Sequence, residues 1–533
     1  MIDLLKIAVF IAAIFYVSNE CKHALHMFQQ NRYELHRYSY WIKTYFKQNI
    51  KNIINIVVRE ALMIAIFVLS CIFPIADGYL LGIYLIIMLV IIYLNYLQEK
   101  TMNYIKPLAL TARVQRQIVV MVLLNIVYFV VVFATMKVSL YSLLISLANP
   151  LQWLFIYVMA IITTPIEKMV HNYFLNDAKR ILRSYNNLKI IGITGSYGKT
   201  SSKHILQEIL AEEYYSLMTP GSFNTPMGIT ITVRNDLQPI HEVFVCEMGA
   251  DKVGDIDFLM KFVAPKYGVL TTIGPQHLQT FHTLENIINE KFKVIENLPS
   301  DGVGFINLDN ELIRNYKIKN TCKIVSFAID NDADFRATNI SYSPNGSTFD
   351  VVIKDVGTYP FETRLLGKHN ISNIIAAIAV GYEMGITIEE LQRAVSHVKY
   401  VEHRLQVKKQ FAQTWIDNAF NSNPVGAGMS LEVMKMMPGT RYILTPGLID
   451  LGDKQAEYNR NFGKQMKDCV DVVYLIGPAQ TKPIYEGLEE SGFDMENVKV
   501  FNTVQEAFVQ VRTRSNPGDT ILLENDLPDA FSK

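Results

Sequence analysis

A glycine-rich turn near the middle of the chain has the residue types of a phosphate-binding loop. The turn runs from Gly195 to Thr200 (Gly-Ser-Tyr-Gly-Lys-Thr), follows the apolar run Leu188–Thr194 and precedes a helical pattern. Such a loop points backbone N–H groups at a phosphate, and the helix N-terminus adds a favourable partial charge. We therefore expect Lys199 to reach the outer phosphates of a nucleoside triphosphate and the Thr200 hydroxyl to ligate Mg²⁺.

The spacing of this loop departs from the strict phosphate-loop pattern, because Ile193 stands where the first glycine belongs. A short match of this kind is weakly specific by itself. Its place between a predicted strand and a predicted helix makes it much more specific. The predicted nucleotide-binding residues of the loop are Gly195, Ser196, Gly198, Lys199, Thr200 and Ser201.

Two further predicted strands end in residues that could hold a metal. Val243–Glu247 is an apolar run that ends in a carboxylate, and the run that begins at Val269 leads to His277. In open α/β sheets, ligands gather at the carboxyl ends of the strands. Mg²⁺ prefers oxygen ligands, so Thr200 and Glu247 suit it, whereas His277 taken alone is more typical of a hydrogen-bonded structural histidine.

Three other candidates each have an ordinary structural interpretation beside the functional one. Lys291 lies in a charged stretch that is typical of a solvated helix face, and Asn373 could simply cap a helix. Arg404 could be a surface charge, although a guanidinium that reaches phosphate oxygens is also common.

Taken in order, these segments resemble the Mur ligase family over about residues 188–530, and most closely its MurF type, which adds D-alanyl-D-alanine to a nucleotide-linked tripeptide of peptidoglycan. Seven ordered motifs are more specific than any one of them. The segments that carry the resemblance are Thr194–Thr200, Thr219–Gly228, Glu247–Ala250 with Gly254–Ile256, Thr271–Leu278 with Lys291, Gly367–Asn373, His403 with Arg404, and Asp417–Pro424.

The resemblance implies an ATP-dependent ligase with two Mg²⁺ ions in a cell-wall or envelope pathway. It assigns the metals to Thr200, Glu247, His277 and Lys291, the last as a carbamate that turns a cation into an oxygen ligand. It places Asn373 at the adenine, and Arg404 and Asp417 at the nucleotide once a C-terminal domain closes. The residues expected to act in catalysis are Lys199, His277, Lys291 and Arg404.

The implied reaction joins a carboxylate to an amine through an acyl phosphate. Phosphoryl transfer of this kind depends mainly on positioning and on neutralising charge. The expected partners are a carboxylate and an amine substrate, with a lipid-linked or nucleotide-linked cell-wall precursor as the candidate carboxylate, the membrane, and other envelope-synthesis enzymes.

Three departures from the MurF pattern bear on the substrate. Asp417 is followed by Asn418 where an Asp pair is usual, and Leu523–Pro528 is acidic where a Lys-Gly-Ser loop is expected. Glu524 and Asp526 would favour a cationic or amine-bearing acceptor. Apolar segments also occupy the place of the N-terminal soluble domain that holds the nucleotide-linked substrate.

The elements that must position these residues form an α/β protein behind an N-terminal transmembrane helical bundle. We predict a transmembrane region at 1–168, a linker at 169–187, a central phosphate-loop domain at 188–400 and a Rossmann-like domain at 401–533. Apolar runs alternate with helical segments in the last domain, which indicates a parallel sheet. Val325–Phe361 resembles a β-rich insertion in the central domain.

Five apolar runs precede residue 168, and a crossing helix needs about 20 mostly apolar residues. The runs are Leu4–Val17, Ala61–Pro74, Tyr79–Leu97, Gln117–Met136 and a less clean one at Leu143–Ile162. Basic residues cluster between runs one and two and between runs three and four, which favours a plasma-membrane protein with its catalytic domains in the cytoplasm. Three to five crossings fit this pattern, because the first and fifth runs could instead be interfacial or re-entrant hairpins, and Asn149-Pro150 makes the fifth the less certain of the two.

Composition excludes some classes of protein. The net charge is zero, so no global field attracts nucleic acid, and the five cysteines form no CxxC pair that would indicate a zinc site. Three alternatives stay open beside the MurF-like ligase: a membrane transporter or lipid-handling protein whose cytoplasmic part only senses ATP, a catalytically inactive scaffold, and a ligase that acts on another carboxylate polymer or glycan.

Overall fold

The computed structural model describes residues 2–48, 50–73, 77–101, 107–134, 138–276, 278–420, 423–449, 451 and 454–525. Two compact units divide the chain, one at Met1–Tyr173 and the other at Phe174–Lys533. The predicted site residue His277 and the acidic Asp526 lie outside the described residues.

The first unit is built from helices. Their bounds are Ile2–Gln30 (α1), Leu35–Gln48 (α2), Ile50–Ile72 (α3), Asp77–Thr101 (α4), Ala112–Phe133 (α5) and Val138–Ser184 (α6), the last of which extends past the first unit. Within the described residues, four segments are long and apolar enough to cross a membrane, in α1, α4, α5 and α6. The second apolar run lies on α3, where Glu60–Ile72 is a shorter apolar helix.

The fifth apolar run is more regular than its sequence indicates. Pro150 and Pro165 both lie inside α6, which continues for 47 residues. Each proline removes one backbone hydrogen bond, yet neither ends the helix. The segment 169–187, predicted as a linker, is helical as far as Ser184.

The second unit begins with a nine-stranded sheet in the order β2-β3-β1-β4-β5-β6-β7-β8-β9. Its strands are Lys189–Thr194 (β1), Ser216–Met218 (β2), Val243–Glu247 (β3), Tyr267–Leu270 (β4), Val303–Asn307 (β5), Lys323–Ala328 (β6), Phe335–Ser343 (β7), Gly346–Ile353 (β8) and Gly357–Thr363 (β9). Its helices are Lys199–Leu210 (α7), Pro226–Asn235 (α8), Asp255–Val263 (α9), Leu278–Phe281 (α10), Leu284–Lys291 (α11), Lys293–Glu296 (α12), Glu311–Arg314 (α13), Lys368–Glu383 (α14) and Ile388–His397 (α15).

Parallel pairing brings the predicted site strands side by side. β1 lies between β3 and β4, with Ile193 opposite Glu247 and Thr194 opposite Leu270. The three strands are buried almost throughout, as expected for a parallel sheet covered on both faces. The expected β-rich insertion is confirmed as the antiparallel strands β7, β8 and β9, which extend the sheet.

Both edges of this sheet are partly covered. The edge strand β2 has three residues, and Gln207 Nε2 donates to the carbonyl of Ser216 (2.8 Å). At the opposite edge, β9 contains Pro360, whose carbonyl accepts from Gln392 Nε2 (2.7 Å).

A second sheet of six strands follows, in the order β10-β11-β15-β12-β13-β14. Its strands are Gln406–Gln410 (β10), Gln413–Asn418 (β11), Arg441–Thr445 (β12), Val472–Ile476 (β13), Val498–Phe501 (β14) and Thr520–Glu524 (β15), and its helices are Pro424–Met436 (α16), Gln455–Gln465 (α17), Pro478–Ser491 (α18) and Val504–Arg514 (α19). All neighbours are parallel except β10 and β11. The parallel sheet expected from the apolar runs is confirmed, and β10 and β11 add to it.

Candidate functional site

The two glycines of the phosphate loop lie close to neighbouring atoms. A Cβ on Gly195 would lie 2.1 Å from Thr271 Oγ1, and one on Gly198 would lie 3.1 Å from Asn373 Oδ1. Gly198 has a φ of +81°, a conformation that favours glycine. The strand-loop-helix expected from the sequence is confirmed: β1 ends at Thr194 and α7 begins at Lys199.

The loop is fixed against the segment that follows β4. The backbone N–H of Ser196 donates to the carbonyl of Thr272 (2.7 Å), and the Ser196 hydroxyl donates to the carbonyl of Gly274 (2.9 Å). The N–H of Tyr197 donates to Thr272 Oγ1 (3.1 Å). The Ser196 side chain is therefore engaged by backbone in this state.

Lys199 folds back on its own loop. Its Nζ donates to the carbonyls of Gly195 (2.7 Å) and Ser196 (3.3 Å). Burial lowers the pKa of Lys199; the negative charge of Glu247 opposes this shift, and the positive charge of Arg404 adds to it. The negative charge of a phosphate group beside Lys199 would favour the charged form of this lysine.

The carboxylate of Glu247 meets the Thr200 hydroxyl at the end of β3. Thr200 Oγ1 lies 3.3 Å from Glu247 Oε1 and 3.1 Å from Oε2. Asn224 Nδ2 donates to Oε1 (3.1 Å), and Lys203 Nζ donates to Oε2 (3.0 Å). Burial would raise the pKa of Glu247, but the Lys203 ammonium and the charge of Lys199 bring the pKa below its usual value.

Lys203 is a residue of this site that the sequence analysis missed. It is fully buried, and its Nζ also donates to the carbonyl of Gly221 (2.6 Å). Gly221 and Asn224 belong to the loop between β2 and α8, so this loop is tied to Glu247 through two contacts. The sequence does contain a sign of this role, because Lys203 follows Lys199 by four residues and therefore lies on the same face of α7.

Lys291 does not lie on a solvated helix face. It is 2% exposed, and burial lowers its pKa to about 7, with the charge of Lys199 acting in the same direction. The preceding residue, Glu290, is also buried and accepts from the N–H groups of Gly254 (2.9 Å) and Ile256 (2.6 Å). Glu290 therefore caps α9 and fixes the end of α11 that carries Lys291.

The oxygen donors at Thr200 and Glu247 fit a magnesium ion. Within the described ranges, no three His, Cys, Asp or Glu side chains gather as a metal cluster. Mg²⁺ commonly takes one or two protein carboxylates and completes its shell with water and substrate phosphates, so one carboxylate beside one hydroxyl is a suitable set.

The helix start expected near the adenine packs against the phosphate loop. The Ser202 hydroxyl donates to Asn373 Oδ1 (2.8 Å), and both residues are buried. Ser201 is 9% exposed and lies in the same first turn of α7. Asn373 is not the cap of α14, because it lies six residues past Gly367, the residue at the N-cap.

Arg404 and Asp417 lie at the start of the second sheet and have different surroundings. Burial lowers the pKa of Arg404, and the negative charges of Glu247 and Glu524 oppose that shift. Arg404 therefore lies close enough to the phosphate loop to interact with its charges. The Asp417 carboxylate accepts from His403 Nδ1 (2.9 Å) and Lys408 Nζ (2.9 Å), so protein side chains occupy it in this state.

Glu524 is not available to a cationic acceptor in this state, contrary to the expectation from its acidic segment. The side chain is fully buried, and its Oε2 accepts from Asn418 Nδ2 (2.9 Å) and the Ser430 hydroxyl (2.7 Å). A buried carboxylate needs such partners. The Glu524 carboxylate therefore makes hydrogen bonds inside the second sheet.

Comparisons with known proteins match both sheets of the second unit. Residues 193–381 match the Mur ligase middle domain, and residues 403–524 match the Mur ligase glutamate ligase domain. The UDP-N-acetylmuramoyl-tripeptide–D-alanyl-D-alanine ligase of Bacillus subtilis is 28% identical over 340 residues, which make up 63% of this chain and 72% of that protein. The Escherichia coli ligase of the same name is 27% identical over 54% of this chain, and the match spans 64% of its length, slightly under two thirds.

Solved structures show the same fold. A crystal structure of MurF from Acinetobacter baumannii has a TM-score of 0.61 at 23% identity, over 67% of this chain and 77% of that one. The MurF ligase from Thermotoga maritima in complex with ADP has a TM-score of 0.60 at 22% identity, over 67% of this chain and 80% of that one.

Proposed function

The chain belongs to the Mur ligase family of acid–amino-acid ligases, and from this membership we propose that it joins a carboxylate to an amine in a MurF-like reaction of cell-wall or envelope synthesis. ATP would be converted to ADP and phosphate. The observation that carries the proposal is the meeting of the Thr200 hydroxyl and the Glu247 carboxylate beside the loop of Lys199.

The nucleotide would lie along the phosphate loop. Backbone N–H groups at the start of α7 and the Lys199 ammonium would hold its phosphates, and Asn373, next to Gly198, would approach the nucleoside. Members of the family use Mg²⁺ with ATP; Thr200 and Glu247 would hold one ion, which neutralises phosphate charge.

The reaction would proceed in two displacements. A substrate carboxylate oxygen attacks the γ-phosphorus, the bond to the bridging oxygen breaks, and ADP leaves an acyl phosphate. An amine nitrogen then attacks the acyl carbon and loses a proton, and phosphate departs from the tetrahedral intermediate. Lys199 and Arg404 would stabilise the negative charge that these steps move across the site.

Lys291 would serve the site as a carbamate. A lysine with a pKa near 7 is largely neutral above that pH, and only the neutral amine reacts with CO₂. The nitrogen then bonds to the carbon of CO₂ and releases a proton, which leaves a carboxylate in place of the ammonium. That carboxylate and His277 are the proposed ligands of a second Mg²⁺.

The apolar helices of the first unit would hold the enzyme in the plasma membrane, with the catalytic part in the cytoplasm where ATP is present. This location favours a carboxylate substrate that is itself linked to the membrane. Asn418 and the buried Glu524 depart from the MurF pattern, which leaves a carboxylate polymer or glycan as a second candidate substrate.

The test is amine-dependent phosphate release by the full-length protein in detergent. The protein is incubated with Mg-ATP, candidate carboxylates, and amino acids or dipeptides, and the products are identified by mass spectrometry. We expect a new amide and one ADP for each amide formed. Lys199→Ala should abolish the release, whereas Lys482→Ala, which removes a lysine that is 74% exposed, should leave it unchanged.

Two results would overturn the proposal. One is undiminished amine-dependent phosphate release by Lys199→Ala. The other is a wild-type protein with no measurable affinity for Mg-ATP, which would instead support an inactive scaffold.

A further inference from the structure

Arg404 is held in a backbone segment of unusual conformation. His403 and Leu405, on either side of it, have φ values of +57° and +48°. Non-glycine residues adopt this left-handed region rarely and at a cost, so surrounding contacts must hold them there. The position of the guanidinium therefore depends on what holds these two neighbours.

The end of β11 supplies these contacts. The Asp417 carboxylate accepts from the His403 ring (2.9 Å), and Asn418 Oδ1 accepts from the backbone N–H of Leu405 (3.3 Å). Consecutive residues of one strand thus hold the residue before Arg404 and the residue after it. The carbonyl of Phe420, two residues farther on, accepts from Arg404 Nη1 (2.8 Å).

The other half of the Asn418 amide is bound to Glu524. Parallel pairing of β11 with β15 sets Asn418 opposite Glu524, and Asn418 Nδ2 donates to Glu524 Oε2 (2.9 Å). The Ser430 hydroxyl donates to the same oxygen (2.7 Å), and Glu524 is fully buried. The amide therefore connects the segment of Arg404 to the middle of the second sheet.

The carboxamide of Asn418 satisfies both ends of this connection. It accepts from a backbone N–H with its oxygen and donates to a carboxylate with its nitrogen. An aspartate at position 418 could still accept from Leu405, but it would set two carboxylates at hydrogen-bond distance in a buried place. The asparagine at position 418 and the glutamate at position 524 therefore depend on each other.

We propose that Asn418 and Glu524 are a coupled pair of positioning residues that holds Arg404 for the phosphoryl-transfer step. This inference rests on the proposed function, in which Arg404 stabilises the charge of the reacting phosphate. It makes Asn418 a working part of the site and not the remnant of a lost carboxylate.

A double-mutant cycle with reversed polarity tests the pair. Asn418→Asp removes the donor, and Glu524→Gln in the same chain returns one, because the amide introduced at position 524 can donate to the carboxylate introduced at position 418. The dissociation constant for Mg-AMP-PNP and the rate of phosphate release are measured on the full-length protein. We expect Asn418→Asp to lower the rate about tenfold, and the double variant to recover to within about threefold of Glu524→Gln alone.

The inference would be overturned if Asn418→Asp lowered the rate of phosphate release by the same factor in the wild-type and Glu524→Gln backgrounds. It would also be overturned if Asn418→Asp left the rate unchanged. Asn345→Asp makes the same exchange at an exposed turn and controls for added charge. If Asn418→Asp does not fold, the yield of folded protein is compared between this variant and the double variant. A higher yield of the double variant supports the coupled pair, and an equally low yield overturns it.

Arg404→Gln, measured beside the cycle, separates this inference from the proposed function. Lost activity in Arg404→Gln together with additive effects at positions 418 and 524 would overturn the pair and leave the proposed function standing. Full activity in Arg404→Gln would overturn the proposed role of Arg404, and the inference with it.

Discussion

The ammonium of Lys203 and the carboxylate of Glu247 form an ion pair of 3.0 Å that is closed to solvent, with side chains 0% and 1% exposed. Removing one partner of a buried pair leaves an uncompensated charge, which costs about 3–5 kcal/mol. We expect Lys203→Met to lower the Tm of the second unit by about 10 °C. Lys261→Met, which removes an exposed pair with Asp257, should change the Tm little; a similar fall in both variants would contradict this account.

The phosphate loop is packed so closely that adding one methyl group at Gly195 should weaken nucleotide binding. In Gly195→Ala, the new Cβ would meet Thr271 Oγ1 and the backbone of Thr272, so the loop must move. We expect the affinity for Mg-ATP to fall by tenfold or more, a loss of at least about 1.4 kcal/mol. Gly385→Ala, at a positive φ with open space around it, controls for backbone strain, and calorimetric titration measures both.

Activity should depend on bicarbonate and on pH through Lys291. Its pKa of about 7 means that the neutral, reactive amine predominates above pH 7 and the inert ammonium below it. After removal of CO₂, added bicarbonate should restore phosphate release more fully at pH 8 than at pH 6. Equal recovery at both values, or activity that persists in Lys291→Met, would argue against a carbamate.

The lowered pKa of Lys291 also predicts how the free energy of unfolding changes with pH. The pKa of Lys291 is lower in the folded chain than the ordinary lysine value, so between pH 7 and about 10 the unfolded state binds one more proton. In CO₂-free buffer, the free energy of unfolding should therefore gain an upward slope with rising pH from this residue. Lys291→Met should lack that contribution, which thermal unfolding at several pH values would show.

The Glu290 carboxylate should stabilise the loop before α9 and the first turn of that helix. Its carboxylate accepts from three backbone N–H groups, those of Gly254, Ile256 and Asp257. In Glu290→Ala these donors lose their acceptor, which costs about 2 kcal/mol. Hydrogen exchange at Ile256 should accelerate, whereas Glu285→Ala, an exposed change on the same helix, should leave it unaltered.

The sequence predicts those parts of the site that depend on local order. Thr194 to Thr200 follow one strand and open one helix, so motif and secondary structure coincide. The strand end at Glu247 could be placed because apolar runs and the rules of parallel sheets locate ligands there.

Contacts between distant segments could not be predicted in this way. Lys291 has the sequence surroundings of a solvated face, but it is buried in the folded chain, where α11 contacts α9, α10 and α12. The pairing of Asn418 with Glu524 depends on the register of two strands that are 106 residues apart. No local pattern encodes such a register.

The edge strand β9 of the nine-stranded sheet limits pairing between the sheets of two copies of this protein. Proline offers no N–H to a neighbouring strand, and the Pro360 carbonyl is already occupied by Gln392. The other edge is three residues long, and Gln207 occupies one of its carbonyls. The proposed membrane anchoring would bring copies of the chain together often, and these two edges hinder sheet-to-sheet pairing, so that lasting self-association would have to rely on side-chain surfaces.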